Sequence, residues 1–281
     1  MDLYDVQGYR VARRRSDLAL APGEAIVAGG TWMFSEPQPS ITGLVDVTGL
    51  DWTPIEELGD GLRIAATCTI ADLVALPPRP QWPAQRLFAD CADALLASFK
   101  IWNTATVGGN VCRSFAAASM VSLAVALDGT ALIWTPGGGA RRLPVAALVT
   151  GNGRNELAPG EVLRAIDLPG YALRGRAAMR KIALAELGRS GAVVTGRRDP
   201  GGALTFGITA ATVAPRVLRY RYPPAAATLV ADAEALEGYY TDPLGSADWR
   251  RAVAGVLAAE ILDELTDGAA VDEDEIVGGV A

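Results

Sequence analysis

Ile26-Val27-Ala28-Gly29-Gly30-Thr31-Trp32 is one of two stretches on which the reading of this chain turns. The other is Thr106-Val107-Gly108-Gly109-Asn110, whose glycine pair stands 79 positions further on. The first follows a short apolar run, Glu24–Ala28, that reads as a strand, and the second precedes residues at helical spacing. Adjacent glycines reach positive φ without steric cost and bring bare backbone N–H groups within reach of a ligand. Successive N–H groups in such a turn form an anion-binding nest. Thr31, Thr106 and Asn110 add side-chain donors of short reach. Two nests on separate loops can clamp both phosphates of a diphosphate, since hydrogen bonds to charged groups contribute about 1.5–3 kcal/mol each. Neither stretch fits G-x-G-x-x-G or G-x-x-x-x-G-K-[ST], which excludes a Rossmann or P-loop site. Each pair taken alone also suits an ordinary turn. The residues by themselves therefore establish two candidate anion nests.

Around these stretches the pattern is mixed. Leu44–Val47 and Leu62–Ala66 read as strands, and Thr69 with Asp72 three residues on is a capping pattern for a helix over Ile70–Leu76, stopped by Pro77-Pro78. Helical spacing continues over Pro83–Leu96 and over the alanine-rich Ala116–Leu127. Thr130–Thr135 and Arg141–Val145 flank a Pro-Gly-Gly-Gly turn as paired strands, and Glu161–Leu168 alternates up to Pro169-Gly170. Beyond Tyr171 the pattern changes. Met179–Leu184, Ala192–Arg198 and Leu204–Val213 read as two or three antiparallel strands, and Pro224–Leu236 and Asp248–Leu265 as helices. The class is α+β. A boundary is expected near residue 170, with an N-terminal unit (1–170, in two α/β parts of about 1–55 and 56–170), a C-terminal α+β unit (171–266) and a mobile tail (267–281).

The 281 residues carry a formal net charge of −7. Eight acids and no base fall between Glu260 and Glu275, and the 25 basic residues nearly balance the acids elsewhere. The acidity thus belongs to the tail, a solvated end rather than a site. Arg13, Arg14 and Arg15 lack interleaved aromatics, so no nucleic-acid partner is expected. There is no histidine, which removes Ser-His and Cys-His devices, His-ligated metals and flavin attachment through His. Cys68, Cys91 and Cys112 are too far apart for a zinc site or an iron–sulfur cluster. No apolar run reaches the ~18 residues of a membrane span, and the first residues lack a signal-peptide core, so a cytoplasmic protein is expected. Its chemistry is expected to come with a cofactor or a partner.

The chain resembles the FAD-binding subunit of the molybdenum hydroxylases, the xanthine dehydrogenase and carbon monoxide dehydrogenase family. Ile26–Thr31 resembles that family's first flavin loop and Ala105–Asn110 its second. Gly160-Glu161-Val162-Leu163 through Pro169, with Arg180-Lys181 beyond, resembles the junction to its C-terminal domain. Gly245-Ser246-Ala247-Asp248-Trp249-Arg250-Arg251 resembles its final helix, so the likeness runs nearly the whole length in order. The resemblance implies a split FAD-binding domain of the vanillyl-alcohol-oxidase type over 1–170, followed by a small α+β domain. It implies cofactor contacts from Ile26, Val27, Ala28, Gly29, Gly30, Thr31 and Trp32, and from Thr106, Val107, Gly108, Gly109 and Asn110. Cys112 would be a small neighbour of the flavin, Leu163 would line its pocket, Ser119 would lie near the ribose or ribityl hydroxyls, and Lys181 would be a further contact. No catalytic side chain and no metal ligand is implied.

Three positions depart from the family pattern. Trp32 stands where a short polar or acidic residue is common, Trp102 where arginine is common, and Ser119 where many relatives carry an acid. Trp32 suits either stacking near the flavin or filling the core. The function implied is that of an electron-transfer subunit. A large molybdopterin-binding partner would oxidise substrate, with purines or N-heterocycles as the expected class. A small [2Fe–2S] partner would feed FAD, which would reduce NAD, oxygen, a quinone or another protein. The alternatives are a stand-alone flavoprotein oxidoreductase and a scaffold that has lost FAD.

Overall fold

The apolar run ahead of the first glycine pair forms the edge of a small parallel sheet. In a computed structural model of the chain, which describes residues 3–95, 97–185 and 188–267, β1 (Gly8–Val11), β2 (Glu24–Val27) and β3 (Gly43–Asp46) align in the order β1-β3-β2. Gly43 of the central strand faces both Gly8 and Glu24. β1 carries no apolar alternation that would announce it, because as an edge strand it buries little and leaves Tyr9 exposed. The first glycine loop leaves the carboxyl end of β2, the end of a parallel sheet where ligands bind.

A second, antiparallel sheet joins β4 (Ile55–Leu58), β5 (Gly61–Ala65), β6 (Thr130–Trp134), β7 (Ala140–Pro144) and β10 (Val162–Leu168) in the order β4-β5-β10-β6-β7, with the two-stranded ribbon β8 (Val149–Gly151) and β9 (Arg154–Asn155) beside it. β10 breaks register with β6 between Leu163 and Ala165. The short helices α1 (Ile70–Val74), α2 (Leu87–Asp93), α3 (Phe99–Trp102), α4 (Val107–Arg113), α5 (Ser119–Ala126), α6 (Val145–Leu148) and α7 (Gly170–Leu173) pack around this sheet. Every residue of α5 is buried, and Met120, Leu123 and Leu127 join Leu62, Ile64 and Ile133 in the largest core.

The third sheet is β11 (Arg176–Ala183), β12 (Ser190–Arg198), β13 (Leu204–Thr209) and β14 (Arg216–Tyr220), antiparallel in chain order. One face receives α8 (Ala226–Ala235) and α9 (Ala247–Thr266), whose Ala254, Leu257, Ala258, Ile261, Leu262 and Leu265 recur at helical spacing against Val194, Phe206 and Ile208. The other face meets α5, where the Ser122 and Thr209 hydroxyls share a 2.7 Å hydrogen bond. The fully buried Arg197 of β12 pairs with Asp128, just after α5, and with Asp199, both at 2.6 Å. Burial pushes the Asp128 carboxyl up, but the hydrogen bond from Arg219 and the charge of Arg197 outweigh it and hold the group below its ordinary value.

The α+β class is as expected, with local corrections. The helix expected over Pro83–Leu96 is a 3-10 turn (Pro83–Arg86) followed by α2, and Leu96 lies outside the described residues. The helix expected from Ala116 starts at Ser119, because the Ala116 amide goes to the Asn152 side chain and its carbonyl to the Ala210 amide. The strand expected to run to Val213 stops at Thr209, since Ala210 turns to φ +60°. Four strands, not two or three, make the last sheet. Residues 268–281 of the expected tail lie outside the described residues. Among the described residues no helix is long and apolar enough to cross a membrane.

Candidate functional site

After β2 the chain curls into consecutive turns. The amides of Phe34 and Ser35 donate back to the carbonyls of Gly30 and Trp32, both at 2.9 Å. Gly30 sits at φ +67°, in the left-handed region that glycine occupies freely. The amides from Gly29 to Met33 find no acceptor among the described residues. This is an open nest of successive N–H groups. A Cβ at Gly29 would lie 1.8 Å from the Thr104 carbonyl oxygen, so the two glycine-bearing segments touch.

The second stretch behaves differently. Thr106 caps α4, its hydroxyl accepting from the Gly109 amide at 3.0 Å, and its carbonyl accepts from the Asn110 amide at 3.0 Å. The Val107 amide donates to the Cys68 carbonyl at 2.9 Å and the Gly108 amide to the Ala66 carbonyl at 3.0 Å. A Cβ on Gly108 would come within 2.4 Å of the Ala66 side chain and 2.6 Å of its backbone. The four amides of residues 107–110 are thus committed within the chain. The expectation of two nests becomes one open nest and one closed turn. What the second stretch still offers is the Thr106 hydroxyl proton and the Asn110 side-chain amide, whose oxygen already accepts from the Met120 amide at 2.9 Å.

Between the two lies a cavity of about 580 Å³. Its walls include Ile26, Val27, Ala28, Gly29, Gly30, Thr31, Trp32, Thr106, Gly108, Gly109, Asn110, Cys112 and Leu163, so most of the residues singled out in the sequence converge on it. Three do not. Val107 is 2% exposed and packs into the largest core. Ser119 is 1% exposed with its hydroxyl unpartnered, because it opens the wholly buried α5 and lies outside the cavity wall. Lys181 lies on β11 and donates its Nζ to the Asp93 carbonyl at 2.8 Å, tying the third sheet to α2. Trp32 lines the cavity, edge-on to Phe115 with ring centroids 6.3 Å apart. Trp102 packs against the core with its Nε1 buried and unpartnered.

The sequence reading passed over several wall residues: Met33, Val47, Arg113, Phe115, Leu157, Glu161 and Val162. A signal for Arg113 existed, since it follows Asn110 by three positions on one helix and so shares its face. Arg113 lies over the Trp32 ring at 3.6 Å and the Phe115 ring at 4.3 Å, with Nε buried and unpartnered. Burial pushes its guanidinium down. Glu161 is pinned by Arg141 at 2.6 Å, whose hydrogen bond holds the carboxyl low. Burial pushes the Cys112 thiol up to about 12, so it stays neutral. Among the described residues no cluster of His, Cys, Asp or Glu can hold a metal ion. An apolar slot of this size beside an open nest and one cation suits a dinucleotide with a planar ring and a diphosphate.

Known proteins bear on this cavity. Residues 13–171 match the family model described as the FAD binding domain in molybdopterin dehydrogenase. No curated protein matches the chain in sequence. Among solved structures, a chain of carbon monoxide dehydrogenase from Oligotropha carboxidovorans superposes with a TM-score of 0.81 at 21% identity, covering 95% of this chain and 99% of that one. A chain of quinoline 2-oxidoreductase from Pseudomonas putida 86 gives 0.78 at 20% identity, covering 93% and 97%. A chain of carbon monoxide dehydrogenase from Hydrogenophaga pseudoflava gives 0.77 at 20%, covering 93% and 98%. At these identities the likeness is one of fold.

Proposed function

Because the chain belongs to the family of FAD-binding domains of molybdopterin dehydrogenases, we propose that it is the FAD-carrying electron-transfer subunit of a heteromeric molybdenum hydroxylase. The observation that carries this reading is the cavity of about 580 Å³ shared by both glycine stretches, with the open amides of Gly29–Met33 on its wall. FAD, when bound, supplies the capacity to accept electrons singly and deliver them in pairs. The chain's own part is to bind and orient. The Gly29–Met33 amides receive negative oxygens, and the Thr106 hydroxyl and Asn110 side-chain amide add donors. Ile26, Val47, Val162 and Leu163 present apolar walls that exclude water from a ring. Neither Cys112, held neutral, nor Glu161, held ionised by Arg141, is poised to exchange a proton at neutral pH.

In this reading a molybdopterin-binding large subunit oxidises substrate, a small subunit passes electrons through [2Fe–2S] clusters, and NAD, oxygen, a quinone or another protein takes them from the flavin. The substrate class in this proposal is a purine or other N-heterocycle. Free thiols at Cys68, Cys91 and Cys112 suit a reducing cytoplasm. The chain divides near residue 170 into an FAD-binding domain and a C-terminal domain. The test is purification from native extract. Yellow material releasing FAD on denaturation, together with molybdopterin- and [2Fe–2S]-bearing partners, is the expected result, and a colourless single chain that refuses added FAD sinks the proposal.

A further inference from the structure

We propose that Arg113 is the counter-cation for the diphosphate of the bound dinucleotide, a binding residue of the cavity that rests on the FAD reading above. Arg113 closes α4 and lines the cavity, and its guanidinium lies over the Trp32 indole at 3.6 Å. Trp32 belongs to the segment whose amides, Gly29 to Met33, find no acceptor among the described residues. The side chain of one nest residue therefore carries the cation, and the backbone around that residue presents the N–H groups. Stacked by its face, a guanidinium keeps its N–H donors in the plane of its edge, free for an anion.

Its surroundings lack what other sheltered arginines have. Arg63 pairs with Asp167 at 2.7 Å, Arg141 with Glu161 at 2.6 Å, Arg197 with Asp128 at 2.6 Å and Arg250 with Asp242 at 2.5 Å. Arg113 feels the charge of the Glu36 carboxylate but makes no hydrogen-bonded ion pair among the described residues, and its Nε is buried without a partner there. The other charged side chain on the cavity wall, Glu161, is already held by Arg141. A sheltered cation is costly unless paired, so a charge left open beside a nest calls for an anion that arrives with the ligand. The diphosphate, not the ring, is that anion, because it is charged in every oxidation state and is the group the nest receives.

The test uses the full chain freed of flavin, titrated with FAD and with riboflavin, which lacks the phosphates, by quenching of flavin fluorescence at several salt concentrations. R113M leaves an unbranched apolar side chain beside Trp32 and Phe115 but removes the charge, and R113K restores the charge. R113M is expected to weaken FAD about 10- to 100-fold, with a flatter salt dependence and unchanged riboflavin affinity, and R113K to recover most of the loss. Unaltered FAD affinity in R113M, or an equal loss for riboflavin, overturns the inference while the FAD reading stands. Should R113M not fold, the wild-type salt slopes decide: a steeper slope for FAD than for riboflavin supports the inference, and equal slopes overturn it. A wild-type chain that binds no FAD brings down both readings.

Discussion

The two glycine pairs look alike in sequence and do opposite work in the structure. At Gly29-Gly30 the chain turns without using its amides, and the five successive N–H groups from Gly29 to Met33 find no acceptor among the described residues. At Gly108-Gly109 the amides of residues 107–110 are all held, by Cys68, Ala66 and Thr106. The first pair needs glycine for its backbone conformation, Gly30 standing at φ +67°, and for the contact of Gly29 with the Thr104 carbonyl. The second needs it for contact, since Gly108 rests against the backbone of Ala66 at the end of β5. A glycine pair thus marks a place where a side chain is forbidden, and only its surroundings tell whether the amides beside it stay open.

The contrast can be broken by substitution. G108A drives a Cβ into the Ala66 backbone, which cannot swing aside, so the chain should lose about 3 kcal/mol and melt about 6–12 °C lower by calorimetry. G30A meets only the exposed Phe34 ring and a positive φ, so the apo chain should lose about 1–2 kcal/mol. Its FAD affinity should fall more than its stability, and a larger melting loss in G30A than in G108A would reverse the comparison. T106A removes the cap from the Gly109 amide and should cost about 1 kcal/mol in urea unfolding.

The smallest effect sharpens the closed side. Burial pushes both the Cys68 and the Cys112 thiols up to about 12. Their folded-state values lie above the unfolded ones, so the stability they contribute is whole below pH 9 and is lost as pH rises from there toward 12. At pH 9 each thiol should cost about 0.4 kcal/mol relative to neutral pH. C68A and C112A should each flatten that decline in stability measured against pH, and an undiminished slope in both would count against it.

Much of the architecture is legible residue by residue. Glu24–Val27, Gly61–Ala65 and Val162–Leu168 announce themselves by apolar pattern, and α9 by its 3.6-residue stripe. β1, β4 and β14 are silent, because strands that bury little carry no apolar alternation. Ser119 stands off the cavity wall for a different reason. Its position suggested a cofactor hydroxyl contact, but α5 is buried on every side and takes Ser119 inward.

The amino-acid order alone determined that this chain has no histidine and no clustered cysteines, and that two diglycines follow a strand and open a helix. That composition removes histidine-based devices and clustered-cysteine metal sites, and leaves other side-chain chemistry open. Which diglycine keeps its amides free of acceptors among the described residues, and that Arg113 comes to lie over Trp32 without an ion pair among them, were decided only by the fold. The acceptors that close the second turn stand on Ala66 and Cys68, and the ring under Arg113 comes from the other loop. Such partners are distant in sequence, and local pattern holds no record of them.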